Sequence, residues 1–255
     1  MGKKYLYTAD ISGYGPGLLG KMFAVQNVFP DSQWVFGGGY FDATANNLVT
    51  INMVNSFVSQ WNAVPLWGPR EVLLDQFIHG DNNKWIQDGG QNLVRELLGG
   101  RMIKDVNAIR NLMQHQDMVL LLLNHLRILF DSPRVIFARS GVYLNKDYKN
   151  TPLEFAIKAE GQYWWSPGSQ NFAYNQTGKM VVTSLRHPSA VYGAYFNQPE
   201  KVISGPVSDQ SFGIQYPREP ARIILHRATR FDKNTQQNLP VIYIIDEDEG
   251  LVGAV

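Results

Sequence analysis

Three times between Tyr5 and Phe77 the sequence repeats one pattern, in which a short β-type run ends in a Gly-rich loop and leads into a stretch of helical period. Tyr5-Leu6-Tyr7-Thr8-Ala9 runs into Asp10-Ile11-Ser12-Gly13-Tyr14-Gly15-Pro16-Gly17, after which Leu18, Leu19, Met22, Phe23 and Val25 recur at helical spacing. Gln33-Trp34-Val35-Phe36 stops at Gly37-Gly38-Gly39, and Asn47 to Trp61 follows as a helix with Leu48, Ile51, Val54, Phe57 and Val58 on one face. Val64-Pro65-Leu66-Trp67 ends at Gly68-Pro69, and the helix that starts at Arg70 has its proline where a first turn tolerates one. Strands that alternate with helices in this way predict an α/β layered architecture, with functional residues on the loops that follow the strands.

The middle of the chain is helical by its period, over Gly90–Leu98, Ile103–Met113 and Asp117–His125. Arg127–Phe130 and Val135–Ala138 then read as a hairpin around Asp131-Ser132-Pro133-Arg134. Further strands are predicted at Met180–Thr183, Arg222–Leu225 and Val241–Ile245. No repeat, low-complexity tract or break in composition marks a linker, so residues 1–255 are read as a single domain. An apolar share of 44% supplies a core, and 23 Lys+Arg against 22 Asp+Glu leave no net field to steer the chain to nucleic acid. The sequence has no cysteine, which removes disulfides, thiolate metal sites and a cysteine nucleophile together. Met1-Gly2-Lys3-Lys4 enters a strand directly, without the apolar stretch of a signal peptide, and Met118–Leu123 is too short to cross a bilayer. A cytoplasmic location, with no membrane contact, is the expectation.

The loops carry a second message. Asp10-Ile11-Ser12-Gly13 follows the first strand, Gly38-Gly39-Tyr40-Phe41-Asp42-Ala43-Thr44 the second, and Gly68-Pro69-Arg70-Glu71 the third. Leu73–Phe77, Trp85 and Gly89-Gly90 come next, then Arg139-Ser140-Gly141 after the hairpin and Ser184-Leu185-Arg186-His187-Pro188 near the end. In order and spacing this series resembles the calcineurin-like metallophosphoesterases, nearest the bacterial Ser/Thr phosphatase and dinucleoside tetraphosphatase type, over roughly residues 5–190. The family motifs at these places are Asp-x-His-Gly, Gly-Asp-x-x-Asp-Arg-Gly, Gly-Asn-His-Glu, His-Ala-Gly and Gly-His-Thr-Pro. The resemblance implies an α-β-β-α sandwich of two mixed β-sheets flanked by helices.

It also implies a site, and there the sequence departs from the family. The family holds two metal ions through carboxylate, imidazole and amide groups and turns a bridging water on phosphorus. Among the ligand positions Asp10 alone keeps a competent side chain; Ser12, Gly39, Pro69 and Arg139 do not replace what the family has, and Leu185 or Arg186 stands at the last His, with His187 a rescue if the register slips by one. One Asp and one His hold a divalent ion only weakly. Arg70 stands where the family has its His proton donor, paired there with the residue matching Asp42, and a guanidinium does not transfer protons near neutral pH.

The resemblance therefore implies an inactive relative, a pseudophosphatase without catalytic residues or cofactor, acting through a protein partner or within an assembly. The alternatives are a phosphoester or nucleotide hydrolase with one weakly bound divalent metal at Asp10 and His187, and a metal-free binder of a phosphorylated small molecule. For the last, Arg70, Arg139 and Arg186 would converge on the vacated site; otherwise Arg139 pairs with Asp10, Arg70 with Asp42, and salt bridges fill it. His79, His115, His125 and His226 lack metal spacing, and Gly13–Gly17 reads as a plain turn. Tyr163-Trp164-Trp165 reads as core, and Asp246–Glu249 as a solvated acidic chain end.

Overall fold

The computed structural model describes residues 2–41, 45–158, 176–185, 202–203, 213–215, 222–226, 229–232 and 237–255. The first third alternates β1 (Lys4–Thr8), α1 (Gly15–Val28), β2 (Gln33–Phe36), α2 (Asn47–Trp61), β3 (Val64–Pro65) and α3 (Pro69–His79). A π-type turn at Ile86–Gly90 leads to α4 (Gln91–Leu97), α5 (Val106–Gln114) and α6 (Asp117–His125). The hairpin β4 (Leu129–Asp131) and β5 (Val135–Ala138) precedes α7 (Leu153–Lys158) and β6 (Met180–Leu185). β7 (Val202–Ile203), β8 (Gly213–Gln215), β9 (Arg222–His226), β10 (Thr229–Asp232), β11 (Gln237–Pro240), β12 (Tyr243–Asp246) and β13 (Gly250–Ala254) complete the chain.

Two mixed sheets result, and β10 and β11 pair separately as a two-stranded antiparallel ribbon. The first has the order β13-β12-β1-β2-β3, with β1, β2 and β3 parallel and β12 and β13 antiparallel. The second has the order β4-β5-β6-β9-β8-β7, parallel from β5 through β6 to β9. Strand residues alternate between faces, and the burial follows this period of two. Tyr5, Tyr7, Val35, Tyr243 and Ile245 of the first sheet form one apolar core with Val135, Phe137, Val182 and Leu225 of the second, so the sheets pack face to face. Leu6, Trp34, Phe36 and Ile244 turn the other way, onto Leu18 and Met22 of α1, Ile51, Val54 and Phe57 of α2, and Leu74 and Phe77 of α3. Ile136, Ala138 and Val181 pack outward against Val142, Leu144, Tyr148 and Phe155. The architecture is the α-β-β-α sandwich of two mixed sheets that the sequence resemblance implies.

α2 shows how the helical layer is locked. Its N-cap Asn46 is left-handed and makes no side-chain cap, so the first amides need another acceptor. Glu96 of α4 supplies it, receiving the N–H of Asn47 at 3.1 Å and that of Leu48 at 3.0 Å, an anion placed where the helix dipole favours one.

Local readings change in two places, while the apolar run Val241–Ile245 keeps its strand period: Val241, Tyr243 and Ile245 face the core between the sheets, Ile242 and Ile244 face the helices, and Ile242 continues the β12–β13 pairing by exchanging hydrogen bonds with Val255. The hairpin turn is one residue tighter, since Asp131 closes β4 and Ser132 makes the turn through Val135. The acidic stretch is not merely solvated, because Asp246 is buried and accepts the N–H groups of Asp248 at 2.8 Å and Glu249 at 3.2 Å, building the β12–β13 turn. Tyr163, Trp164 and Trp165 lie outside the described residues. No helix among the described residues is long and apolar enough to cross a membrane.

Asp131 gives the outer hairpin a pH-dependent anchor. It accepts from Lys179 at 2.5 Å and Tyr148 at 3.0 Å, with Lys149 at 3.5 Å. Burial alone would raise its pKa, but the hydrogen bonds from Lys179 and Tyr148 and the charges of Lys179 and Lys149 bring it below the usual value. A carboxyl lowered on folding stabilises the native state above its unfolded pKa and loses that contribution as the pH falls through the native value. Asp131→Asn is therefore expected to lose about 1–2 kcal/mol at neutral pH, with the gap to the parent protein narrowing as the solution is acidified. Urea denaturation at a series of pH values checks this; a gap that widens in acid contradicts it.

Candidate functional site

The parallel strands β1, β2, β3 and β5 end on one side of the sandwich, and their following loops meet there. Backbone bonds continue past the strands: Gly37 N–H donates to Thr8 at 2.8 Å, Asp10 N–H to Gly38 at 2.8 Å and Ser12 N–H to Gly39 at 2.9 Å. This pairing sets Asp10, left-handed at φ 53, directly against Gly39. Gly38 and Gly39 have φ of 84 and 79, a region open to glycine at no steric cost. A Cβ on Gly38 would lie 2.6 Å from Arg139 Nη1, and one on Gly39 would lie 2.5 Å from Asp10 Oδ1. The loops touch because these residues have no side chain.

Arg139 fills the space between them. Its side chain is 5% exposed; Nη2 donates to Asp10 Oδ1 at 2.7 Å and Nη1 to the carbonyl of Gly37. Nε is buried and finds no acceptor among the described residues. The backbone of Arg139 is pinned as well: its carbonyl accepts the N–H and Oγ–H of Ser184, both at 2.9 Å, and the Ser184 hydroxyl lies 2.8 Å from that of Tyr7. Burial by itself would lower the pKa of Arg139, but the charges of Asp10 and Glu71 outweigh it and hold the guanidinium charged.

Glu71, at the start of α3, is the second carboxylate of the cluster and is fully buried. Its Oε1 accepts the N–H of Tyr40 at 2.9 Å, and the N–H of Gly39 sits 3.2 Å from both oxygens. Burial pushes its carboxyl above the ordinary range, against the opposing charge of Arg139 and these amides. The Tyr40 hydroxyl receives Gly38 N–H at 3.1 Å and faces the carbonyls of Phe36 at 3.0 Å and Leu66 at 2.9 Å, joining the ends of β2 and β3. Burial, and then the charge of Glu71, raise the Tyr40 pKa well above that of a free phenol. The Tyr14 phenol, by the mouth, is raised by burial and then by the charge of Asp10.

Of the residues singled out in the sequence, Asp10 and Arg139 are brought together as the expected ion pair. Ser12 enters through its backbone N–H. Arg70 donates to the carbonyl of Asp88 in the π-type turn, whereas Arg139 donates to Asp10 and to the carbonyl of Gly37. Asp42, Arg186 and His187 lie outside the described residues, and with them the Arg70–Asp42 pairing and the alternative register of the last loop. His79 and His115 each turn Nδ1 to a carbonyl one helical turn back, at 2.8 and 2.7 Å. Glu71 was missed as a site residue. The signal was present, since it is the one member of Gly68-Pro69-Arg70-Glu71 besides Gly68 that keeps the family letter.

Among the described residues the donor set does not fit a dinuclear metal centre. Asp10 Oδ1 is bonded to a guanidinium, Glu71 is spent on backbone amides, and any side chain at position 39 would overlap Asp10. A dication brought here would also face the fixed charge of Arg139 in a weakly screened interior. Among the described residues no group of three or more His, Asp or Glu is placed to hold a metal ion. Among the described residues Arg139 is the one buried guanidinium, and the carboxylates of Asp10 and Glu71 already flank it.

No family model matches the sequence, and no curated protein matches it. Among solved structures the chain is similar to a metallophosphoesterase from Sphaerobacter thermophilus, 10% identical with a TM-score of 0.46 over 100% of this chain and 88% of that one. It is also similar to a cold-active protein-tyrosine phosphatase of a psychrophilic Shewanella, 9% identical with a TM-score of 0.49 over 97% and 76%. A hypothetical protein from Pyrococcus horikoshii OT3 is 11% identical with a TM-score of 0.45 over 99% and 86%. Likenesses at this level carry nothing about chemistry; the α-β-β-α architecture stands on the strand pairing and the three apolar cores.

Proposed function

We propose that this chain is a catalytically inactive relative of the metallophosphoesterases, a pseudophosphatase that acts by binding a protein partner or as part of an assembly. One observation carries the reading. At the position of a metal-binding His in the family stands Arg139, buried and bonded to Asp10, the sole ligand position with its carboxylate intact. A guanidinium there supplies positive charge without an exchangeable water, and so without the nucleophile on which the family reaction depends. Glu71, fully buried on the amides of Gly39 and Tyr40, adds a second negative charge near the Asp10–Arg139 ion pair and helps hold the guanidinium charged.

The test is direct. Purified protein incubated with excess Mn²⁺ and desalted is expected to retain no stoichiometric metal and to leave an aryl phosphate unhydrolysed. About two ions per chain together with turnover would sink the reading. One ion per chain with turnover would favour the hydrolase at Asp10 and His187.

A further inference from the structure

We draw no further inference here: the strongest candidate, the largely apolar cavity of about 590 Å³ alongside α1 that Lys21, Ala24, Val28, Asp232, Ile244 and Val255 line, carries none because nothing in the structure shows what covers it.

Discussion

Arg139→Ala is expected to destabilise the protein by about 3–5 kcal/mol, the cost of removing one partner from a buried ion network. Two carboxylates then lose their counter-charge. The loss at Glu71 is the greater, since it is fully buried while Asp10 is 38% exposed and can be partly rehydrated. Against a total stability of about 5–15 kcal/mol this is a large share, and it should appear as a shifted urea midpoint with an unchanged slope. The pH dependence separates this cause from a simple cavity. Burial already raises the Glu71 carboxyl, and without the opposing Arg139 it rises further. A carboxyl whose native pKa is raised favours folding below its unfolded value, and that contribution is lost as the pH climbs through the native one. The deficit of Arg139→Ala should therefore shrink in mild acid and grow toward neutral pH. Arg139→Met together with Glu71→Gln removes both charges at similar volume and should recover most of the loss. An Arg139→Ala variant as stable as the parent protein would mean that the cluster is not what holds the four loops together.

How much of this was legible depended on whether local pattern or long-range packing decided the matter. β1, β2, α1 and α2 were readable because an apolar period followed by Gly-rich loops is a local signal, and Asn47–Trp61 appears at the bounds its periodicity predicts. The Asp10–Arg139 pair was readable because the family register places both at strand ends, although they stand far apart in sequence. Glu71 was not recognised, because its role rests on burial and on the amides of Gly39 and Tyr40, and no run of letters displays either. Asp246 was misread for the same reason: four consecutive acids look solvated, but the first of them accepts the amides of the next turn and is covered by β1 and β13.

Gly39→Asp, which restores the family carboxylate at that place, is expected to destabilise the protein by about 3 kcal/mol or more, the range reserved for steric and charge conflicts in a core. Three costs combine. The backbone at φ 79 is strained for any residue with a Cβ. The new Cβ would lie 2.5 Å from Asp10 Oδ1 and 2.8 Å from Asp10 Cα, the latter a backbone atom that a rotamer change does not move. A third carboxylate would then join Asp10 and Glu71 around a single guanidinium. Gly39→Ala isolates the first two, and is expected to lose roughly 1–2 kcal/mol from the strained backbone alone, with the overlap adding to it. The difference between the variants reports the charge conflict, which should narrow when the carboxyls are protonated. Mn²⁺ is the deciding addition, because an ion that binds the folded form raises stability by mass action. With Arg139 in place no such rise is expected for Gly39→Asp in thermal melts. A metal-dependent gain would show that the loops retain a latent ion site beneath the salt bridge, and the pseudophosphatase reading would have to yield to a metal centre displaced by one arginine.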